Sequence, residues 1–196
     1  FRRHADDGII GDGLITEHLH PNVRGYFLLA DAFHDALLAR GMPGPSSRAV
    51  PPERAFGEVP VSVVDRLFGD YKVLRLKAHW PFTDEPREVE LPPVASIEEE
   101  LAQALYRQEQ DWVRVHRRLK SYYRETGDRD EYLRVSLILA DAFPYVAAAQ
   151  LDAGRALMAA GREVQAVRYL YAAARYEPTR VEPLLALAGA LLATGL

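Results

Sequence analysis

Residues 147–180 read AAAQLDAGRALMAAGREVQAVRYLYAAARYEPTR, and this stretch decides the fold. It holds two apolar-periodic runs, split by Gly161 and closed by Pro178. The spacing predicts helix, short turn, helix. The same punctuation recurs at a fixed interval of 34 residues: Gly127, Gly161 and Gly195 are one series, and Pro144 and Pro178 another. Tyr123, Leu157 and Leu191 share a phase, as do Leu119, Ala153 and Leu187. Each glycine follows a helical run, where a left-handed cap needs a residue without Cβ. Each proline stops the second helix of a pair and starts the turn to the next. Periodicity of this length marks stacked helical units, which bury their apolar faces against one another. Five helices are therefore expected, at 113–126, 130–143, 147–160, 164–176 and 182–194. They form an all-α stack of antiparallel helix pairs, with the last pair supplying only its first helix.

The pattern resembles the tetratricopeptide repeat over about residues 97–196. Gly154 and Ala166 stand where that family places small residues, so that paired helices approach closely, and Ala173 and Pro178 also match. Leu157 and Leu170 replace its usual aromatics, and Gln150 replaces its usual tryptophan. In the preceding copy, 113–146, Lys120, Tyr132 and Ser136 depart from the pattern. The resemblance implies a right-handed stack whose first helices line a concave face for a protein or peptide. That face would offer Trp112, His116, Lys120, Tyr123, Gln150, Arg155 and Met158. Its lysine and arginine fit an acidic peptide end, and they fit a solvated charged face equally well. The alternative role for the stack is mechanical support of a neighbouring domain.

Working upstream, Ser96 followed by Glu99 is a capping box, which starts a helix at 97–107 ahead of another at 110–126. Between Pro60 and Trp80, Val61, Val64, Leu67, Phe68, Tyr71 and Leu74 recur at helical spacing, with Ser62 and Asp65 placed to cap. Residues 81–95 carry four prolines and break the pattern, leaving REVEL (87–91) as a short extended piece. Trp80, Pro81 and Phe82 are expected to pack at the end of the 61–80 helix. Residues 41–60 hold five prolines and three glycines, the composition of a linker. Arg114, Arg117, Arg118 and Lys120 are expected to pair with Glu109, Asp111 and Glu125.

The N-terminal stretch GLITEHLHPNVRGY (13–26) is the one segment that points to chemistry. An amphipathic helix follows at about 23–39, with Tyr26, Leu29, Ala30, Phe33 and Leu37 on one face. His18 and His20, with His4, Asp6, Asp7 and Asp12 nearby, are the ligand types of a zinc site, although alternate histidines on a strand would face opposite ways. A second reading makes them loop residues that cap the helix. A third comes from the order acid-x-x-His-Pro-Asn followed by Gly-Tyr. It resembles the last block of the SGNH (GDSL-like) ester hydrolases. That resemblance implies His20 as general base and Glu17, in place of the commoner aspartate, as the acid that orients it. An imidazole base takes the serine proton while a carboxylate on its other nitrogen fixes the tautomer.

The serines are Ser46, Ser47, Ser62, Ser96, Ser121 and Ser136, and none sits in a glycine-flanked strand-to-helix turn. The nucleophile is therefore expected upstream of Phe1, in a larger ester hydrolase acting on an acyl or O-acetyl group. Residues 1–41 are read as its remnant, 42–60 as linker and 61–196 as the helical domain.

Composition limits the rest. The chain has 196 residues, 48% hydrophobic and 27% charged, which is globular rather than disordered. A net charge of −4 gives no basic excess for nucleic acid. With no cysteine, disulfides and thiolate chemistry are excluded. No apolar run reaches the roughly 20 residues of a membrane span. No cofactor is expected. Leu184, Leu187, Leu191 and Leu192 leave the last helix apolar, so it is expected to continue into further chain or to associate with another molecule, a second copy included.

Overall fold

The computed structural model describes residues 1–42 and 50–195. Residues 43–49 of the Pro/Gly-rich stretch, Ser46 and Ser47 among them, lie outside the described residues. Among those described there are nine α-helices and no strand, and the fold is all-α. Residues 1–59 and 60–196 form two compact units.

The first unit begins with two single-turn 3-10 helices, Arg2–His4 and Asp6–Gly8. Helix α1 spans Val23–Leu38 and α2 spans Pro52–Gly57. Helix α2 lies inside the proline-rich stretch read as linker. Pro52 occupies its first turn, where a missing N–H costs nothing and a fixed φ suits a helix. Phe56 packs edge-on against Phe27 of α1, with ring centroids 5.1 Å apart. Of the residues expected on the apolar face of α1, Tyr26, Leu29, Phe33 and Leu37 are exposed.

The second unit is a stack. Its helices are α3 (Val63–Lys77), α4 (Ile97–Tyr106), α5 (Trp112–Thr126), α6 (Arg129–Ala142), α7 (Ala147–Ala159), α8 (Glu163–Tyr176) and α9 (Val181–Thr194). Each packs on the next, and α7 also touches α9. The turns at 127–128, 143–146, 160–162 and 177–180 are too short for anything but reversal, so neighbouring helices run antiparallel. All five helices expected from the repeat are present, with ends shifted by one residue at most.

The 34-residue interval is visible in the backbone itself. Gly127, Gly161 and Gly195 have φ of 78°, 68° and 72°, the left-handed region that glycine enters without steric cost. The residues before Pro144 and Pro178 close their helices identically. Phe143 lies at φ −125°, ψ 66° and Glu177 at φ −129°, ψ 67°. Their amides donate to Leu139 and Ala173, again 34 apart.

Two apolar clusters hold the stack. One joins α3 to α6 through Val64, Tyr71, Leu101, Val115, Leu119 and Val135. The other joins α6 to α9 and is rich in alanine, with Ala153, Ala156, Ala166, Ala173 and Ala190 around Leu157 and Leu170. Small side chains let the helix axes approach. Gly154 is the extreme case, since a Cβ there would overlap the Leu170 side chain. The REVEL segment is not a strand. It lies along the stack with Leu91 packed on the first cluster, and the following Pro92 carbonyl accepts from Gln103 Nε2 at 2.7 Å. Among the described residues no helix is long and apolar enough to cross a membrane.

Candidate functional site

In the N-terminal unit, residues 11–25 close into a compact loop. The Leu14 and Ile15 amides donate to the Gly11 carbonyl, Thr16 to His20, and Asn22 to Leu14, and a single antiparallel bridge joins Ile15 to Pro21. Leu14 is the buried pin of this loop. Asn22, rather than His18 or His20, caps α1. Its Oδ1 accepts from Gly25 N at 3.0 Å and its Nδ2 donates to the Asp12 carbonyl at 2.9 Å. Gly25 lies so close to the loop that a Cβ would overlap the Leu14 carbonyl and come within 2.8 Å of Pro21 Cβ. The residues of the Pro-Asn and Gly-Tyr motif thus clamp the loop onto the helix.

Within that clamp Glu17 and His20 meet. Nδ1 of His20 is hydrogen-bonded to Glu17 Oε1. The Leu19 amide donates to Oε2 at 2.8 Å and the His20 amide to Oε1 at 3.2 Å. His18 Nδ1 lies 3.2 Å from Oε2. The Glu17 side chain is only 2% exposed whereas that of His20 is 63% exposed. Burial pushes the Glu17 carboxyl up. The His20 ring, the Leu19 and His20 amides and the His20 charge outweigh it and hold the group below its usual range. The carboxylate is fixed by the turn, and it fixes in turn which His20 nitrogen carries hydrogen. Nε2 is left for another partner. Both histidines turn to Glu17, not to a shared metal position. Among the described residues, the three ligand-type groups that converge, within 4.8 Å, are Asp31, His34 and Asp35 on α1.

In the stack, most residues expected on the concave face are engaged internally. His116 and Gln150 are buried, and Gln150 Nε2 donates to the Ala140 carbonyl at 2.6 Å. Tyr123 is buried and its hydroxyl donates to Glu98 at 2.7 Å. Burial first, then that carboxylate, pushes the phenol well up. Met158 packs on the second apolar cluster. Arg155 is exposed and paired with Glu182 at 2.7 Å. Lys120 reaches across from α5 to Asp152 of α7. Arg118 pairs with Glu100 at 2.9 Å, not with the acids of its own helix region.

Trp112 belongs to a network that the sequence reading did not assemble. Its Nε1 donates to Asp65 Oδ1 at 2.8 Å, and its ring stacks on His116 with centroids 3.9 Å apart. His116 Nε2 lies 3.0 Å from Ser62 Oγ and 3.2 Å from Asp65 Oδ2. Nδ1 meets the Trp112 carbonyl at 2.9 Å. The trio is serine, histidine and aspartate, but it is not wired as a catalytic triad. Serine and aspartate share one ring nitrogen, whereas a triad places them on opposite nitrogens. Ser62 and His116 are both fully covered. The network is a staple between the start of α3 and α5. The Ser62 and Asp65 spacing announced the capping box, but nothing local announced a histidine 54 residues away.

A cleft of about 350 Å³ lies between α5, α6 and α7. Val113, Leu139, Phe143, Val146 and Ala149 give it an apolar lining, and Arg117 and the Lys120–Asp152 pair edge it. Comparison with protein-family models, with curated proteins and with solved structures finds no match to the chain.

Proposed function

We propose that residues 60–196 are a protein-interaction module of tetratricopeptide type, which holds a partner segment in the cleft between α5, α6 and α7. The open apolar cleft carries this reading. A stack that served only as support would gain nothing from leaving Val146 uncovered at its edge, because burying it is favourable. The matching helix ends 34 residues apart support the repeat assignment. The test is selection of a displayed random-peptide library against the whole chain. Enriched peptides should compete with one another and lose binding to Val146→Glu, a substitution at an exposed position. A library that yields no enrichment, or peptides indifferent to Val146→Glu, defeats the assignment of the cleft.

The end of the stack carries a companion proposal. Leu184, Leu185 and Leu192 of α9 are exposed, Leu192 at 82%. Phase places Leu185 and Ala188 where α7 has Leu151 and Gly154, which α7 buries. The face is proposed to pair with a second copy of the chain. Sedimentation should then depend on concentration in the parent and not in Leu185→Glu/Leu192→Glu. A strict monomer at all concentrations excludes the pairing.

A second reading concerns the first unit and is favoured by one observation, the hydrogen bond that the Glu17 carboxylate accepts from His20 Nδ1. Residues 1–41 are proposed as the last block of an SGNH-like ester hydrolase, with His20 as base, Glu17 as its orienting acid and the serine supplied from outside these residues. The exposed His20 ring, held by its Nδ1 on a fixed carboxylate, is the arrangement a general base requires.

A further inference from the structure

Helix α1 carries the one convergence of metal-ligand groups among the described residues. Asp31, His34 and Asp35 lie on a single turn, and one donor atom from each falls within 4.8 Å of the other two. The spacing explains it. Residues three and four apart share a helix face, so Asp31 is brought beside both His34 and Asp35. An acid and an imidazole three residues apart is also the spacing by which the helices of a bundle hold a metal ion. Asp31 is half-buried, whereas His34 and Asp35 are exposed.

A second observation concerns charge. Two carboxylates one turn apart repel each other. No lysine or arginine relieves them. Residues 25–39 contain none, and among the described residues none from elsewhere lies within ion-pair distance of Asp31 or Asp35. Arg54 of α2, the helix packed on α1, is taken by Glu58 at 3.7 Å. The His34 ring stands closest, with Nδ1 4.0 Å from Asp35 Oδ1, which is too far for a hydrogen bond. Three donors therefore face one point with no hydrogen bond between them.

We propose that Asp31, His34 and Asp35 form a binding site for a divalent transition metal of the zinc type. Tetrahedral zinc holds oxygen and nitrogen donors at about 2.1 Å, hence about 3.4 Å from one another. Small rotations of these side chains cover the difference. The cation offsets the repulsion between Asp31 and Asp35. The three side chains supply three corners of a tetrahedron and leave the fourth to solvent. The imidazole decides the kind of metal: it suits zinc, nickel or copper, whereas magnesium and calcium take oxygen donors. The site shares no residue with the Glu17–His20 turn or with the cleft of the stack, so its failure leaves both proposals above untouched.

The test is titration of the full, isotope-labelled chain with zinc chloride, followed by amide NMR spectra and by calorimetry. One ion per chain should bind, and the amides that shift should centre on residues 31–35. His34→Ala and Asp35→Asn each delete one of three ligands and should each weaken binding about tenfold or more. Both positions are exposed, so the variants should keep the parent's far-UV circular dichroism. His79→Ala, which removes a histidine outside the cluster, should bind zinc as the parent does. Magnesium chloride at the same concentration should move no amide on this turn. Four results overturn the proposal: no saturable zinc binding, shifts centred on residues 16–20 instead, His34→Ala and Asp35→Asn proteins that bind as tightly as the parent, or magnesium bound as well as zinc.

Discussion

In a polypeptide that joins residues 1–41 to a serine-bearing SGNH-like core, His20→Ala is expected to lower turnover of an activated ester by on the order of 10⁴ to 10⁶, because triad members act as a unit. The argument rests on the loop. Glu17 is held by two backbone amides and by the His20 ring, so its carboxylate is in place before any substrate arrives. Glu17→Gln removes the charge and changes the hydrogen-bond pattern at Nδ1, so the imidazole presents the wrong tautomer. The loss there should reach about 10⁴ and fall mainly on kcat. Since the Glu17 carboxyl is held low, the staple it makes is intact above the usual carboxylate range and is lost as pH falls through that lowered value. Both variants should leave the helical stack folded, because residues 60–196 are a separate compact unit. Normal ester turnover by the His20→Ala protein would reduce the pair to a turn staple and sink the hydrolase reading.

What the sequence made legible was whatever depends on near neighbours. Glycine at 127, 161 and 195 reports a left-handed backbone that few other residues tolerate, so the helix ends could be placed within a residue. Ser62 with Asp65 and Ser96 with Glu99 both form the capping boxes their spacing implies. Glu17 and His20 were legible as a pair for the same reason, being three residues apart in a turn. Partners across the stack were not legible. Gln150 lies in the first turn of α7, and only the fold shows that its amide satisfies the Ala140 carbonyl. The acids that neutralise α5 come from Glu100 and Asp152, one on the preceding helix and one on α7, where sequence neighbours had been expected. Helical phase could name Trp112, His116 and Tyr123 as one face. It could not tell that this side turns into the packing against α3 and α4, because the long 78–96 connection hides how those helices return.

The largest stability effect is expected from His116→Ala. The ring is fully buried, and both of its nitrogens face oxygen acceptors: the Trp112 carbonyl on one side, Ser62 and Asp65 on the other. Removing it strips the Asp65 carboxylate of a hydrogen-bond partner and leaves a hole under the Trp112 ring. Truncating a fully buried ring and leaving a carboxylate short of a hydrogen-bond partner costs about 2–5 kcal/mol. For a chain of this size that is a fall in Tm of roughly 10 °C. The loss should be read by Trp112 fluorescence and far-UV circular dichroism in the same melt, since the staple ties α3 to α5. Asp65 gives the network an acid limb. Burial pushes its carboxyl up, but His116, the Ser62 amide and the Trp112 indole more than offset that and hold it at about 2 from an ordinary 3.8. A depressed carboxylate contributes stability that is complete above the unfolded value and is lost as pH falls from there towards about 2. The contribution is at most about 2 kcal/mol, and less after solvent screening of a side chain that is 22% exposed. Asp65→Asn should therefore lower Tm at neutral pH and flatten its decline in acid, while Trp112→Phe keeps an aromatic ring beside His116 but loses the Nε1 bond to a carboxylate, about 1.5–3 kcal/mol, and some packing. A His116→Ala protein that melts within a degree or two of the parent would mean the stack closes without this staple. The apolar packing of Val64, Val115 and Leu119 alone would then hold α3 in place.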